Sequence, residues 1–246
     1  MEQYTSLAEY YDELTQDVPY ERFADRICAL LRKSRLPVQL VLELGCGTGT
    51  LSRILSQRGY EMICCDNSPD MLGVAMEKCS DVPVMPVFIC QDMRKLDLYG
   101  TVQAVICCLD GMNYMTDEKS LFAVLDRVWL FLEKGGLFIF DVKSKDMFRQ
   151  MAGTASVYES DELYGVWQYG YSERSGLCRH TVDLFCKEKD GYYRLTEIHR
   201  QRAFSRAFLE TALQDAGFRI KGVYQDLTNR KAKAEEGRLL FVAEKR

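Results

Sequence analysis

A run long and apolar enough to cross a membrane is absent from the 246 residues. The longest near-apolar stretch, Val82 to Cys90, is interrupted by two prolines and falls well short of the roughly 18 residues a spanning helix needs. The opening residues Met1-Glu2-Gln3-Tyr4 lack the basic and apolar regions of a secretory signal, so the expectation is mature, cytoplasmic sequence. No Cys-x-x-Cys pair occurs among the ten cysteines, which removes a common spacing for zinc or dithiol redox chemistry. The cysteines sit instead in apolar runs such as Cys64-Cys65 and Cys107-Cys108, as reduced packing residues do, and no metal site is expected. An excess of positive charge is missing as well. Against 36 Asp and Glu stand 32 Lys and Arg, a net charge of −4, which disfavours a nucleic-acid partner. Internal repeats and low-complexity tracts are also absent, and 47% hydrophobic with 28% charged residues is the balance of an ordinary folded chain.

What is present alternates. The nearly continuous aliphatic run Val38 to Leu44 has the composition of a strand buried on both faces, and it ends in glycines. A helix from Thr48 to Gln57 follows, stopped by Gly59 before a second strand at Met62 to Cys65. Further strands are expected near Met85 to Cys90, Ala104 to Cys108 and Leu137 to Val142. Between the last two, Leu121, Leu125, Val128 and Leu132 mark one helix face, opened after Thr116 by Asp117 and Glu118 and closed by Lys134-Gly135-Gly136. After Val142 the period changes to short alternating runs, Val166 to Tyr171, His180 to Lys187 and Tyr192 to Arg200, with turn signals between them. A helix from Ser205 and two strands, Arg219 to Leu227 and Arg238 to Glu244, complete the pattern. The expectation is an α/β fold: a doubly wound, mostly parallel seven-stranded Rossmann-like sheet with an antiparallel β insert after the fifth strand. Residues 1–145 and 204–246 would form the main domain and 146–203 the insert.

The most informative residues lie where the first strand meets the first helix: Glu43-Leu44-Gly45-Cys46-Gly47-Thr48-Gly49. In an open parallel sheet this is the ligand crevice, and glycines there admit positive φ and close backbone approach. The dinucleotide fingerprint would require glycine where this chain has Thr50. Asp66 ends the second strand 21 residues beyond Gly45, the spacing that brings a carboxylate to ribose hydroxyls. A nucleoside cofactor without pyrophosphate fits better than a nicotinamide dinucleotide.

On these residues the chain resembles the class I S-adenosylmethionine-dependent methyltransferases, Val41 to Gly49 matching their first motif. The resemblance implies S-adenosylmethionine as cofactor and S-adenosylhomocysteine as product. It implies that Gly45, Cys46, Gly47 and Gly49 cup the methionine end, that Glu43 anchors the loop and that Asp66 takes the ribose. It also implies that the stretch Asn67 to Leu72 packs one face of the adenine, with Met71 or Leu72 in contact, and that Gln91, Asp92 and Met93 flank it, with Asp92 accepting from its amine. Leu109 to Tyr114 resembles the family loop beside the sulfonium. The element Leu7-Ala8-Glu9-Tyr10-Tyr11-Asp12 is similar to that of the small-molecule branch containing sugar-amine and glycine N-methyltransferases, whose N-terminal segment covers the cofactor; Tyr4, Tyr11 and Tyr20 would close the site.

Methyl transfer from a sulfonium is an in-line displacement, so the protein must align two reactants and exclude water, and no covalent nucleophile is required. Candidates to orient or deprotonate an acceptor are Asp110, Tyr114, Tyr11 and His199. Asn113, Trp167 and Glu197 are candidates to bind it, the last two from an insert that would roof the pocket. Arg194, Arg200, Arg202 and Arg206 read as a solvated strand and helix start rather than an acidic-substrate patch. The expected partner is a small-molecule acceptor, transferred to at nitrogen or oxygen, with no membrane. Oligomeric state is left open, as are a cofactor-sensing role without turnover and an RNA or protein acceptor.

Overall fold

The computed structural model describes residues 7–233 and 237–246; Tyr4 lies outside the described residues. Two helices, α1 (Tyr11–Leu14) and α2 (Tyr20–Leu31), precede the sheet. Then come β1 (Leu40–Leu44), α3 (Thr50–Gln57), β2 (Glu61–Asp66), α4 (Pro69–Lys78), β3 (Val87–Cys90), β4 (Val102–Cys107), α5 (Glu118–Phe131) and β5 (Leu132–Lys143). After α6 (Lys145–Met151), four strands follow in succession: β6 (Ala155–Glu159), β7 (Leu163–Ser172), β8 (Leu177–Glu188) and β9 (Gly191–Arg202). The chain returns through α7 (Arg206–Asp215), β10 (Phe218–Gln225) and β11 (Arg238–Lys245).

The helices begin where local chemistry sets them. Ser68, Asp117, Ser144 and Ser205 each accept a backbone N–H three residues on, and Pro69 occupies the first turn of α4, where its missing donor costs nothing. The main sheet runs β10-β11-β5-β4-β1-β2-β3, with β1 to β5 parallel and β11 antiparallel to both neighbours. Helical crossovers make the parallel pairs, whereas β10 returns directly into β11 and can only pair antiparallel. Alternation on β4 sends Val105 and Cys107 to one face, under α5 and α7, and Ala104 and Ile106 to the other, under α2 and α3. Phe140 and Phe241 stack across β5 and β11 with ring centroids 4.9 Å apart.

Strands β6 to β9 form a second, wholly antiparallel sheet. Its inner face carries Leu163, Val182, Leu184 and Cys186, and these pack on Leu7, Tyr10, Tyr11 and Leu14. Residues 7–14 are therefore held between the two sheets. One expectation is corrected. Gly135-Gly136 does not end a helix: it lies within β5 at a register break, where a Cβ on Gly136 would stand 2.7 Å from the Gln103 carbonyl oxygen. Strand β6 is an exposed edge with no apolar alternation to announce it in the sequence. Among the described residues, no helix is long and apolar enough to cross a membrane.

Candidate active site

At the carboxyl end of β1 the chain turns sharply, and the turn is tied to β2 by backbone. Gly45 N–H and Cys46 N–H donate to the Cys65 carbonyl at 2.8 and 3.1 Å, and Gly47 N–H donates to Asp66 Oδ2 at 2.8 Å. Ser68 N–H donates to Asp66 Oδ1 at 2.9 Å, so this carboxylate fixes the loop and the start of α4 together. Gly47 has φ +54°, and a Cβ built on it meets nothing within 4 Å: it would project into open space in front of the loop. Gly49 is glycine for a different reason. At φ +74° its added Cβ would stand 2.9 Å from Ala75 Cβ, so the third glycine permits close approach of α4 and does not line the space.

That space is a cavity of about 460 Å³, well within the range that takes a small ligand. Glu43, Gly45, Cys46, Gly47, Asp66, Asn67, Met71, Gln91, Asp92, Met93 and Leu109 all line it, as do Tyr11 and Tyr20. Tyr114, Met115, Thr116 and Arg200 line it too. Asp12 clasps the loop from above, accepting from Thr48 Oγ1 at 2.7 Å and pairing with Lys78 at 2.6 Å. Asp92 is bound bidentately by Arg94, itself a cavity residue that sequence reasoning missed, and this pair holds the Asp92 carboxyl below its ordinary range.

Burial pushes the Glu43 carboxyl up to about 8 although Ser52 Oγ donates to it, and it pushes Asp66 up as well. The sign of the consequence follows from linkage: the folded protein keeps a proton on Glu43 that the unfolded chain has released above the usual carboxylate range. The stability this gives is whole below about pH 4.5 and is lost as pH rises to about 8. The unfolding free energy of the ligand-free protein, from urea titrations, is expected to fall across this window by on the order of a few kcal/mol, and its pH dependence to flatten in Glu43→Gln. An identical slope in the variant would contradict the assignment.

The loop after β4 is unusual. Leu109 and Asp110 both have positive φ, 56° and 57°, without being glycine. Their consecutive N–H groups point the same way and donate to one carboxylate, Asp141, at 2.7 and 3.0 Å. Asp110 is corrected as an acceptor-facing group. Its side chain is turned away from the cavity into an ion network with Lys143 (2.9 Å), Arg238 (3.1 Å) and Gln201 (2.6 Å). Burial raises its carboxyl, but Lys143 and Arg238 outweigh that and bring it down to about 2. Asn113 is fully buried and also faces away: it donates to the Lys143 and Arg202 carbonyls and accepts from Lys143 N–H. Trp167 packs among the apolar side chains of the second sheet and against Gly165, outside the cavity.

Glu197 and His199, side by side on the inner face of β9, are buried behind Tyr114 rather than lining the cavity. Tyr114 lines the cavity, and its hydroxyl lies 3.5 Å from His199 Nδ1. The four arginines separate by role. Arg194 pairs with Asp183, Arg202 donates to the Thr116 carbonyl and Arg206 pairs with Glu210, while Arg200 faces the cavity with no ion pair to any described residue.

Residues 41–136 match the family model described as a methyltransferase domain. YqeM of Bacillus subtilis (strain 168), named as a methyltransferase, is 32% identical, the alignment covering 98% of this chain and 97% of YqeM. The structure of an S-adenosylmethionine-dependent methyltransferase from Clostridium acetobutylicum ATCC 824 superposes with a TM-score of 0.87 at 27% identity, covering 98% of each chain. This chain belongs to the S-adenosylmethionine-dependent methyltransferases. S-adenosylmethionine is the cofactor of this methyltransferase, and the residues fit it: the loop leaves open space at Gly47, and Asp66 presents a carboxylate to the same cavity. The methyltransferase also shares its fold with the sugar N-methyltransferase KedS8 from Streptoalloteichus sp ATCC 53650 (TM-score 0.79, 21% identity, 96% of this chain and 92% of that one).

Proposed function

We propose that this methyltransferase transfers its methyl group to a nitrogen or oxygen atom of a small molecule held at the Tyr114 end of the cavity. The observation that carries this reading is the extent of the cavity. One continuous space is lined both by the glycine loop with Asp66 and by Tyr114, Met115, Thr116 and Arg200. A protein that only sensed the cofactor would have no need of a cation and a phenol beside it. KedS8 is by name a sugar N-methyltransferase, and it shares its fold with nearly the whole of this chain, which supports a small amine as acceptor.

When bound, S-adenosylmethionine supplies an electrophilic methyl group, whose bond to sulfur breaks with the electron pair passing to sulfur as the acceptor's lone pair forms the new bond. The chain's residues do the rest. Gly45 to Gly47 admit the methionine end to their backbone, Asp66 accepts from the ribose, and Met71 and Asp92 flank the adenine. Tyr11 and Tyr20, on the N-terminal segment that Asp12 ties to the loop, cover the cavity and keep water from the reacting atoms. Arg200 gives the acceptor end a cation with which to hold an anionic or polar group.

Calorimetric titration of S-adenosylhomocysteine into the protein tests the cofactor half of this reading: one site of micromolar order is expected, and no binding would sink it. Asp66→Ala is expected to weaken that affinity by roughly 1–3 kcal/mol, the loss of a charge-assisted hydrogen bond. Unchanged affinity would refute the ribose assignment. A screen with methyl-labelled cofactor, beginning with small amines, tests the acceptor half.

A further inference from the structure

Tyr114 reaches the cavity from a short 3₁₀ turn, Gly111–Tyr114, and its far side meets the second sheet. There its hydroxyl lies 3.5 Å from His199 Nδ1, with the two rings edge to face at 88°. The other ring nitrogen, Nε2, lies 3.3 Å from Glu197 Oε2. Both side chains are deeply buried, His199 being 4% and Glu197 7% exposed. Glu197 Oε1 in turn accepts the backbone N–H of Leu7 at 3.1 Å. Four groups thus stand in line from the cavity to the N-terminal segment, on elements distant from one another in sequence.

We propose that Tyr114, His199 and Glu197 form a proton relay for the acceptor, and that the docked N-terminal segment completes it by fixing Glu197 through the Leu7 N–H. The proposal rests on the methyl-transfer reading above and adds to it the route of the proton. A carboxylate at Glu197 obliges His199 to carry its proton on Nε2, leaving Nδ1 as an acceptor. Tyr114 then donates its hydroxyl to Nδ1, and its oxygen lone pair faces the cavity. As the acceptor is methylated and its proton becomes acidic, that proton passes to Tyr114 Oη while the phenolic proton passes to His199 Nδ1. The imidazolium so formed is balanced by Glu197. After product leaves, the transfer reverses and Tyr114 releases the proton to water entering the opened cavity. Tyr114 is the catalytic residue here; His199 and Glu197 are positioning residues.

The surroundings favour this arrangement. His199 faces His180 across the β8–β9 pair, and these are the chain's two histidines. Burial, then the nearby Lys143, pushes His180 down to about 4, so the relay imidazole has a neutral neighbour rather than a second cation. Lys143 itself is neutralised by Asp110, which Arg238 also pairs. Glu197 Oε1 accepts from the Leu7 N–H, and Oε2 stands 3.3 Å from His199 Nε2. The Leu7 contact uses a backbone donor, so no side-chain replacement at position 7 other than proline removes it.

The test is the tautomer of His199, read by ¹⁵N NMR of histidine-labelled full-length protein with S-adenosylhomocysteine at about pH 8.5. The two rings are assigned with His180→Gln. The expected wild-type signal is Nε2–H. In Glu197→Gln the amide oxygen must still accept from Leu7, so the amide nitrogen donates to Nε2 and the proton moves to Nδ1, inverting the signal. An Nδ1–H tautomer in the wild type, or no inversion in a folded Glu197→Gln, overturns the relay. Should that variant fail to fold, the wild-type tautomer alone decides. Once an acceptor is in hand, Tyr114→Phe is expected to lower kcat by roughly 10²-fold or more with the cofactor affinity unchanged. Wild-type kcat in Tyr114→Phe would likewise overturn it. Absence of S-adenosylhomocysteine binding is a separate outcome: it sinks the methyl-transfer reading, and the proposal with it, whereas binding with the wrong tautomer sinks the relay alone.

Discussion

Gly47→Val is expected to abolish binding of S-adenosylhomocysteine in calorimetry while leaving a folded protein. Two effects act in the same direction. At φ +54° a β-branched residue is placed in the region L side chains avoid, at about 1–2 kcal/mol or more. Relief of that strain would rotate the peptide whose N–H now donates to Asp66, moving the ribose carboxylate along with the loop. The second effect is volume: the Cβ meets nothing within 4 Å and points into open cavity, so the valine side chain fills the place the cofactor takes. Thermal unfolding should therefore shift by only several degrees, in the range of roughly 2–8 °C for that strain. Affinity within a few-fold of wild type would show that the loop does not approach the cofactor. Gly49→Val makes the contrast, since its side chain would meet Ala75 and its main cost would fall on folding.

The second large effect concerns stability. Asp141→Ala is expected to cost about 3–5 kcal/mol in urea unfolding, the penalty for breaking a buried ion network by removing one partner. Asp141 is fully buried, pairs with Arg238 and accepts both N–H groups of the strained Leu109–Asp110 turn. Its loss leaves the Arg238 guanidinium with Asp110 alone and removes the acceptor that holds two adjacent residues at positive φ. The turn should then relax, and because Leu109 lines the cavity, cofactor affinity should fall with stability. A loss below about 1 kcal/mol would mean that the network contributes little beyond its own desolvation.

The sequence legibly carried the main sheet and the cofactor side of the cavity, since both rest on local signals. Strand β1 is a short aliphatic run, the loop is punctuated by glycines a few residues apart, and Asp66 follows at a fixed spacing within one βαβ unit. The acceptor side was read less well because its residues are decided by distant partners. Asp110 looks like a free acid beside Tyr114 until Arg238, 128 residues further on, is brought against it. Asn113 looks like a substrate amide until it is found bridging Lys143 and Arg202. Glu197 was placed on the correct strand, but nothing near it in sequence announces that its partner is the backbone of Leu7, 190 residues away. Arg200 could be separated from its three neighbouring arginines only once each of those had found its own acid or carbonyl.

The position of Arg238 at the start of β11 bears on how the molecule is made. Its guanidinium meets Asp141 of β5 and Asp110 of the cavity-lining turn, the first of these 97 residues earlier in the chain. On a ribosome, hairpins β7–β8 and β8–β9 close from local sequence as they emerge, whereas β5 waits with an unpaired edge and an uncompensated carboxylate until β11 arrives. The turn that shapes the acceptor side is thus among the last features a nascent chain acquires, and a ribosome-bound intermediate lacking β11 would hold the glycine loop in place before it had a working catalytic floor.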